Sequence, residues 1–267
     1  MFITLKNNKN MNIEIKGDGE PIFFIHSYLW DKNMWNPQVQ ELSKKYQCIS
    51  IDLWGHGESD PLNEDEYCSL STLAGNIIEI ADILNIDKFH YIGLSVGAML
   101  GAYLGLNYSE RIKKMILLDG YSGAESPETK YSYFEMLKMI KKLGYIPENL
   151  IDTITPMFFS KDENKNKGHL YQYFKQKLTN KNTSNINTIV TLGEAIFGRE
   201  DLLGDLNKIK APTLFMVGEE DIPRPIPESQ EMNNLVKGSK LVIIPKAGHI
   251  SNLENPNLVT EQIFNFL

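Results

Sequence analysis

From Phe89 to Ile92 the chain is apolar, then it turns through Gly93-Leu94-Ser95-Val96-Gly97 into a helical stretch, Ala98 to Leu106. A serine with glycine two residues to either side, between a strand and a helix, predicts a turn too sharp for side chains at 93 and 97. Such a turn lifts the Ser95 hydroxyl clear of a sheet, where a base can reach it. It also imposes an order: a buried strand must enter the turn and a helix must leave it.

The rest of the chain repeats that alternation. Ile22-Phe23-Phe24-Ile25, Cys48 to Asp52 and Lys114 to Leu118 are short apolar runs of the kind that form strands buried on both faces. Helical stretches lie between them, at about Trp35 to Lys45 and Leu70 to Leu84. Phe2 to Lys6 and Met11 to Ile15 alternate around an Asn/Lys turn, which predicts an antiparallel hairpin. Strands resume at Pro212 to Val217 and Leu241 to Ile244, and Asn257 to Leu267 closes the chain as a helix.

Between Tyr121 and Asp205 the rhythm breaks and every signal is helical: Pro127 to Leu143, Pro147 to Phe159, His169 to Leu178 and Ile186 to Phe197. The Asn/Lys-rich stretch Lys161 to Lys167 reads as a mobile surface loop. The expected fold is therefore α/β: a mostly parallel eight-stranded sheet flanked by helices, from residues 1–120 and 206–267, with an all-helical cap at 121–205.

At 267 residues the chain is long enough to bury a substantial core. Its net charge of −7 argues against nucleic acid or an anionic membrane surface as partner. Cys48 and Cys68 suit neither a disulfide framework nor a metal site, and Cys48 sits in an apolar strand as core packing. With no signal-peptide h-region and no apolar window long enough to span a bilayer, a cytoplasmic protein without a membrane span is expected.

A serine hydroxyl is a poor nucleophile until a base takes its proton, and the base works best when a carboxylate orients it. Of five histidines, His26 ends a strand, His56 lies between two glycines, His90 is inside a strand and His169 is in the helical insert. His249, in the loop after the last strand, is the one placed to meet Ser95. For the carboxylate, Gly218-Glu219-Glu220-Asp221 follows the strand ending at Val217, and Asp221 is chosen, with Asp119 at another strand end in reserve.

With these residues assembled, the chain resembles α/β-hydrolases with a helical cap, over essentially its whole length. Six blocks carry the resemblance: Gly19-x-Pro21; His26-Ser27-Tyr28 through Trp35; Asp52 through Ser59; the Ser95 turn; Pro212 through Asp221; and Gly248-His249 with Glu254 and Pro256. It implies that Ser95 is the nucleophile, His249 the general base and then acid, and Asp221 the group that fixes the imidazole. It further implies an oxyanion hole from the backbone N–H groups of Val96 and Tyr28, and no metal or organic cofactor. Two departures from the family pattern matter. Ser27 stands where the family usually has glycine, and this bears on how the Tyr28 N–H is aimed; Ala98 stands where a second glycine is common.

The resemblance implies hydrolysis of a small or medium carboxylic ester or lactone through an acyl-enzyme. Thioester, carbon–carbon and peroxyacid chemistries share the same constellation. So does a ligand sensor that turns over about once. Trp30, Phe158 and Phe159 are expected to wall a substrate pocket, although each aromatic of the insert also suits helix packing within the insert itself. The apolar lid favours an uncharged, apolar small-molecule substrate; oligomeric state is open.

Overall fold

The computed structural model describes residues 1–63, 66–180 and 183–267. Among them eight strands form one sheet: β1 (Phe2–Thr4), β2 (Asn10–Lys16), β3 (Glu20–Ile25), β4 (Tyr46–Ile51), β5 (Phe89–Leu94), β6 (Ile112–Leu118), β7 (Thr213–Gly218) and β8 (Lys240–Ile244). Their order is β1-β2-β4-β3-β5-β6-β7-β8. The first hairpin pairs antiparallel, with Ile3 opposite Met11, and β2 lies antiparallel to β4. From β4 to β8 every neighbouring pair is parallel. Parallel strands need crossovers, and the crossovers place helices over both faces, which is why the strands are apolar at successive positions. In β3 the alternation is explicit: Phe23 and Ile25 enter one apolar cluster, Ile22 and Phe24 the other.

Six helices belong with the sheet and five to the insert. After β3 comes α1 (Asn36–Leu42), after β4 α2 (Leu70–Ile83), and after β5 α3 (Val96–Asn107). The insert between β6 and β7 holds α4 (Pro127–Leu143), α5 (Glu148–Ile154), α6 (Lys161–Asn166), α7 (His169–Thr179) and α8 (Thr183–Phe197). The chain then continues through α9 (Ile226–Leu235), α10 (Ser251–Glu254) and α11 (Pro256–Phe266).

Local chemistry sets the helix limits. Ser69 and Thr72 form a reciprocal capping box that starts α2. Ser126 caps α4, Pro127 occupies its first turn, and Gly144 ends it at φ 75°. The stretch 161–167 is not the loop its composition suggested. It is the short helix α6: Ser160 accepts from the Glu163 N–H, Asp162 and Glu163 sit favourably in the first turn, and Lys167 closes it in the left-handed region. Its Asn164 amide also ties it to the carbonyls of Pro156 and Phe159. Helix α9 has no counterpart among the expected elements, because its buried face is only Ser229 and Met232, too thin a stripe for periodicity to show.

The insert is packed onto the sheet domain rather than standing off it. Leu137, Ile151, Phe159, Phe174 and Ile189 share one apolar cluster with Ile92, Leu94, Ile116 and Leu118 of the strands. Cys48 lies fully buried in β4, where burial pushes its thiol up to about 12. No helix among the described residues is long and apolar enough to cross a membrane.

Candidate active site

The topology decides where a site can open. Strand β3 lies between β4 and β5, so the chain leaves β3 to one side and returns on the other. At such a reversal the loops beyond the strand ends diverge and leave a crevice. Here the loop after β3, Ser27 to Leu29, stands beside the turn after β5, which carries Ser95.

That turn is as sharp as its glycines require. Ser95 sits at φ 57° and ψ −114°, a strained conformation for a residue with a side chain, and its N–H is held by the Leu118 carbonyl at 2.9 Å. A Cβ on Gly93 would lie 2.3 Å from the Gly97 carbonyl carbon, and one on Gly97 2.4 Å from the Ile25 oxygen. Ala98 is accommodated by a glycine opposite: a Cβ on Gly120 would stand 2.5 Å from the Ala98 methyl.

The loops after β7 and β8 bring the other two side chains to Ser95. They are laced together by backbone bonds, Glu219 N–H to Ile244 O at 2.9 Å and Glu220 N–H to Ala247 O at 2.8 Å. His249 Nε2 lies 2.9 Å from Ser95 Oγ, and its Nδ1 lies 2.9 and 3.1 Å from the two Asp221 carboxylate oxygens. All three residues are buried. Glu254 fixes the histidine loop from below, accepting the Gly248 N–H at 2.6 Å and, across to the insert, the Ser160 N–H at 3.0 Å. Burial raises its pKa above the ordinary carboxylate value.

Asp119 takes a different post. Its carboxylate accepts from Gly218 N–H at 2.7 Å and from the Ser251 hydroxyl at 2.5 Å, bracing the loops on either side of the His249–Asp221 pair. Burial, and then the charge of Asp221, push its pKa well above the usual carboxylate range. The imidazole therefore turns to Asp221, and the reserve candidate becomes scaffold.

Two buried histidines shape the loop after β3. His26 Nε2 accepts from Leu53 N–H at 2.9 Å, so the proton sits on Nδ1, which lies 2.7 Å from the Ser27 carbonyl. Burial lowers its pKa, consistent with this neutral, structural form. His56 Nε2 accepts from Leu29 N–H at 3.1 Å. Ser27 is itself buried: its N–H meets Met34 Sδ at 3.3 Å and its hydroxyl folds back toward the Tyr28 carbonyl. The chain then turns tightly, with Trp30 N–H on Ser27 O at 3.1 Å and Leu29 at φ 70°. The Tyr28 N–H is the loop donor given no hydrogen-bond partner among the described residues, and Val96, as the first residue of α3, has an N–H that the helix leaves unpaired.

Above Ser95 and His249 a cavity of about 100 Å³ lies between the strand ends and the insert. Tyr28, Leu29 and Met99 line it from the sheet side; Leu137, Ile140, Phe158, Ile189 and Phe197 line it from the insert. Phe158 also meets the His249 ring edge-on at 5.3 Å. Trp30 and Phe159, expected to be pocket walls, are not among the lining residues. The turn at Leu29 sends Trp30 away to stack on Phe174, with planes 4° apart and centroids at 4.7 Å. Phe158 and Phe159 both touch Phe174, but Phe159 packs on beside Tyr171, almost fully buried and away from the lining.

The structure adds residues that the sequence reading passed over. Leu137 and Ile140 belong to an apolar stripe at helical spacing in α4, a signal that was legible but not specific to a pocket. Arg224 had no signal at all. Its N–H donates to Asp221 Oδ1 at 2.9 Å, and its guanidinium pairs with Glu125, which also holds Arg199 at 2.7 Å. This buried trio joins both ends of the insert to the loop of Asp221. A larger groove of about 1120 Å³, lined by Lys130, Glu194, Glu200 and other polar residues, contains none of the expected site residues. No group of three or more His, Cys, Asp or Glu side chains is placed to hold a metal among the described residues.

An orienting carboxylate, an imidazole and a hydroxyl in one hydrogen-bonded line, under a mostly apolar cavity, are equipped for proton transfer at Ser95. Comparisons with known proteins bear on the fold that carries these residues. The chain is 27% identical over 259 residues to 3-oxoadipate enol-lactonase 1 of Acinetobacter baylyi, covering 96% of this chain and 92% of that one. Among solved structures it superposes on a thermophilic esterase from Thermogutta terrifontis with a TM-score of 0.89 at 24% identity, covering 99% of this chain and 96% of the other. It superposes on the enol-lactonase from Burkholderia xenovorans with a TM-score of 0.88 at 23% identity, covering 100% and 99%. A sequence model of the α/β-hydrolase fold matches residues 20–256, and with that match the chain belongs to the α/β-hydrolase family.

Proposed function

We propose that this protein hydrolyses a small, largely apolar carboxylic ester or lactone through an acyl-enzyme on Ser95. The observation that carries the proposal is the line Asp221–His249–Ser95, with hydrogen bonds of 2.9 Å at each end of the imidazole, at the floor of an apolar cavity. Names of relatives, an enol-lactonase and an esterase, lend support on the choice of bond.

In this reading Ser95 Oγ attacks the carbonyl carbon as His249 Nε2 takes its proton. Asp221 holds the opposite ring nitrogen and stabilises the imidazolium. The carbonyl oxygen becomes an oxyanion facing the N–H groups of Val96 and Tyr28, each worth roughly 3–4 kcal/mol of barrier. Collapse breaks the bond to the alkoxide, which leaves with the imidazolium proton; in a lactone the alcohol stays tethered to the acyl chain. Water then attacks the acyl-enzyme, giving its proton to His249. Collapse releases the carboxylic acid and returns the proton to Ser95.

The cavity bears on size. At about 100 Å³ it is smaller than the roughly 300 Å³ at which ordinary ligand pockets begin, so it suits a short acyl chain or a small ring. The test is hydrolysis of p-nitrophenyl esters from acetate to octanoate and of γ-butyrolactone by wild type and Ser95→Ala. Sustained turnover that peaks at short chains and vanishes in the variant is expected. Activity that survives Ser95→Ala would end this reading, and a stoichiometric burst that stalls would favour the sensor.

A further inference from the structure

We propose that the Tyr28 hydroxyl is a positioning group through which the insert aims the Tyr28 backbone N–H at the oxyanion, an inference that rests on the ester-hydrolase reading above. The loop bearing that N–H is held on both sides by the sheet domain: Ser27 N–H by Met34 Sδ, Leu29 N–H by the His56 ring. Tyr28 between them is held from the opposite side of the cavity. Its hydroxyl donates to the Ile189 carbonyl of α8 at 2.6 Å, a residue 161 positions away in sequence.

A helical carbonyl normally serves the N–H four residues on, here that of Gly193, and its second lone pair is open only where no side chain covers it. The chain keeps that approach open with a glycine in mid-helix, where glycine weakens a helix. A Cβ on Gly193 would lie 2.7 Å from Tyr28 Oη and 2.6 Å from Leu137 Cδ2. The ring is seated as well as the hydroxyl: Phe197 of the same helix meets it edge-on at 6.1 Å. Burial raises the phenol pKa, so the hydroxyl stays a donor. Val96, by contrast, takes its orientation from α3 and the Ser95 turn, independently of the insert. One oxyanion donor is therefore fixed by the sheet domain and the other is trimmed by α8. A shift of α8 away from the strand ends breaks the Ile189 bond and releases the Tyr28 side chain, so that its N–H can tilt about the Ser27 carbonyl, which His26 Nδ1 and the Trp30 N–H still hold.

Tyr28→Phe retains the ring and the backbone N–H and removes only the tether; Gly193→Ala fills the notch from the other side. In each, kcat on p-nitrophenyl butyrate is expected to fall by between about five- and a hundredfold, up to the loss of one whole oxyanion donor, with KM within about twofold. A trifluoromethyl ketone, whose Ser95 adduct places an oxyanion in the same hole, should bind weaker by the same factor as kcat/KM. Both substitutions break the Tyr28–Ile189 bond, and Gly193→Ala also presses on Leu137, so the tether's loss is counted once and the double variant should fall short of the product of the two single losses. A lower melting temperature with kcat and ketone affinity unchanged, or losses that multiply in the double variant, would overturn the proposal. Labelling with a fluorophosphonate separates it from the reading beneath. A wild type that does not label at Ser95 overturns both, whereas wild type and Tyr28→Phe labelling at equal rates overturns the tether alone.

Discussion

The sheet side and the insert side of the cavity are built by different means. On the sheet side the functional groups sit on strand ends or the turns just after them: Ser95 after β5, Asp221 after β7, His249 after β8. On the insert side the lining comes from faces of helices, Leu137 and Ile140 from α4, Ile189 and Phe197 from α8. Proton transfer needs atoms held to a fraction of an ångström; β5 and β7 are bonded on both edges, and the His249 loop beyond the edge strand β8 is pinned by the Glu219, Glu220 and Glu254 bonds. A hydrophobic wall needs only volume and apolarity, so many helical sequences serve. Rate should therefore be governed chiefly by the first region and chain-length preference by the second, with the Glu125 ion pairs and the Tyr28–Ile189 bond joining the two.

The sharpest test contrasts two acids of the sheet side. Asp221→Asn is expected to lower kcat about 10⁴-fold, because an amide no longer fixes the imidazole tautomer. Asp119→Asn, which keeps an acceptor for its scaffold bonds, should lower it by no more than about tenfold. Comparable losses in steady-state kinetics would mean that Asp119 shares the catalytic role.

Next in size are two adjacent aromatics of the insert. Phe159→Ala, deep behind the wall, should cost about 3–5 kcal/mol of stability and leave the ester-length profile in place. Phe158→Ala should instead move the optimum toward longer esters, raising their kcat/KM about tenfold relative to acetate. Urea unfolding and an ester series on both variants check this. A profile unmoved by Phe158→Ala would break the division between rate and size.

The Glu125 bridge tests how the regions are joined. Burial opposes its charge, but Arg224 and Arg199 overcome that and hold its pKa below the ordinary 4.5. Glu125→Gln strands the buried Arg199 guanidinium and leaves Arg224 the longer pair to Glu228 at 3.5 Å, and should cost about 3 kcal/mol at pH 7. A depressed folded-state pKa stabilises above the unfolded value and is lost as pH falls. The gap between wild type and variant should accordingly narrow below pH 4.5 in thermal melts.

The smallest effect belongs to the far end of β3. Glu20, paired with His90 and Lys113, has its pKa lowered from 4.5 to about 2. It is 57% exposed, so solvent screens it and Glu20→Gln should cost under about 1 kcal/mol at pH 7. That small difference should disappear as pH falls from 4.5 toward 2, with kcat untouched.

What was legible in the sequence follows the same line. Continuous apolar runs mark buried parallel strands because both faces are covered, so the strands after Gly19 could be placed within about two residues. The stretch Pro127 to Leu143 was placed correctly, and its bounds fall where Ser126, Pro127 and Gly144 act within one turn of themselves. The stretch 161–167 was misjudged because Asn and Lys suggest a loop, while the Ser160 cap and the Asn164 bonds that make it α6 involve particular neighbours. Trp30 and Phe159 were expected at the pocket because they flank the right segments. Which way each ring points depends on a single backbone turn, and one residue is enough to exchange wall for core.

By itself the sequence determined the alternating sheet, the helical insert and the turn at Ser95, since periodicity, caps and glycines act over a few residues and need no distant partner. The tertiary structure put Asp221, already chosen over Asp119, against His249; it alone decided which aromatic faces the cavity, and that Glu125 and Tyr28 tie the insert to the sheet domain. The ties rest on contacts between distant parts of the chain, Asp221 to His249 about 30 residues apart and the Tyr28 hydroxyl to the Ile189 carbonyl about 160 apart. Such contacts exist only once loop closure has been achieved by the packing of the whole chain.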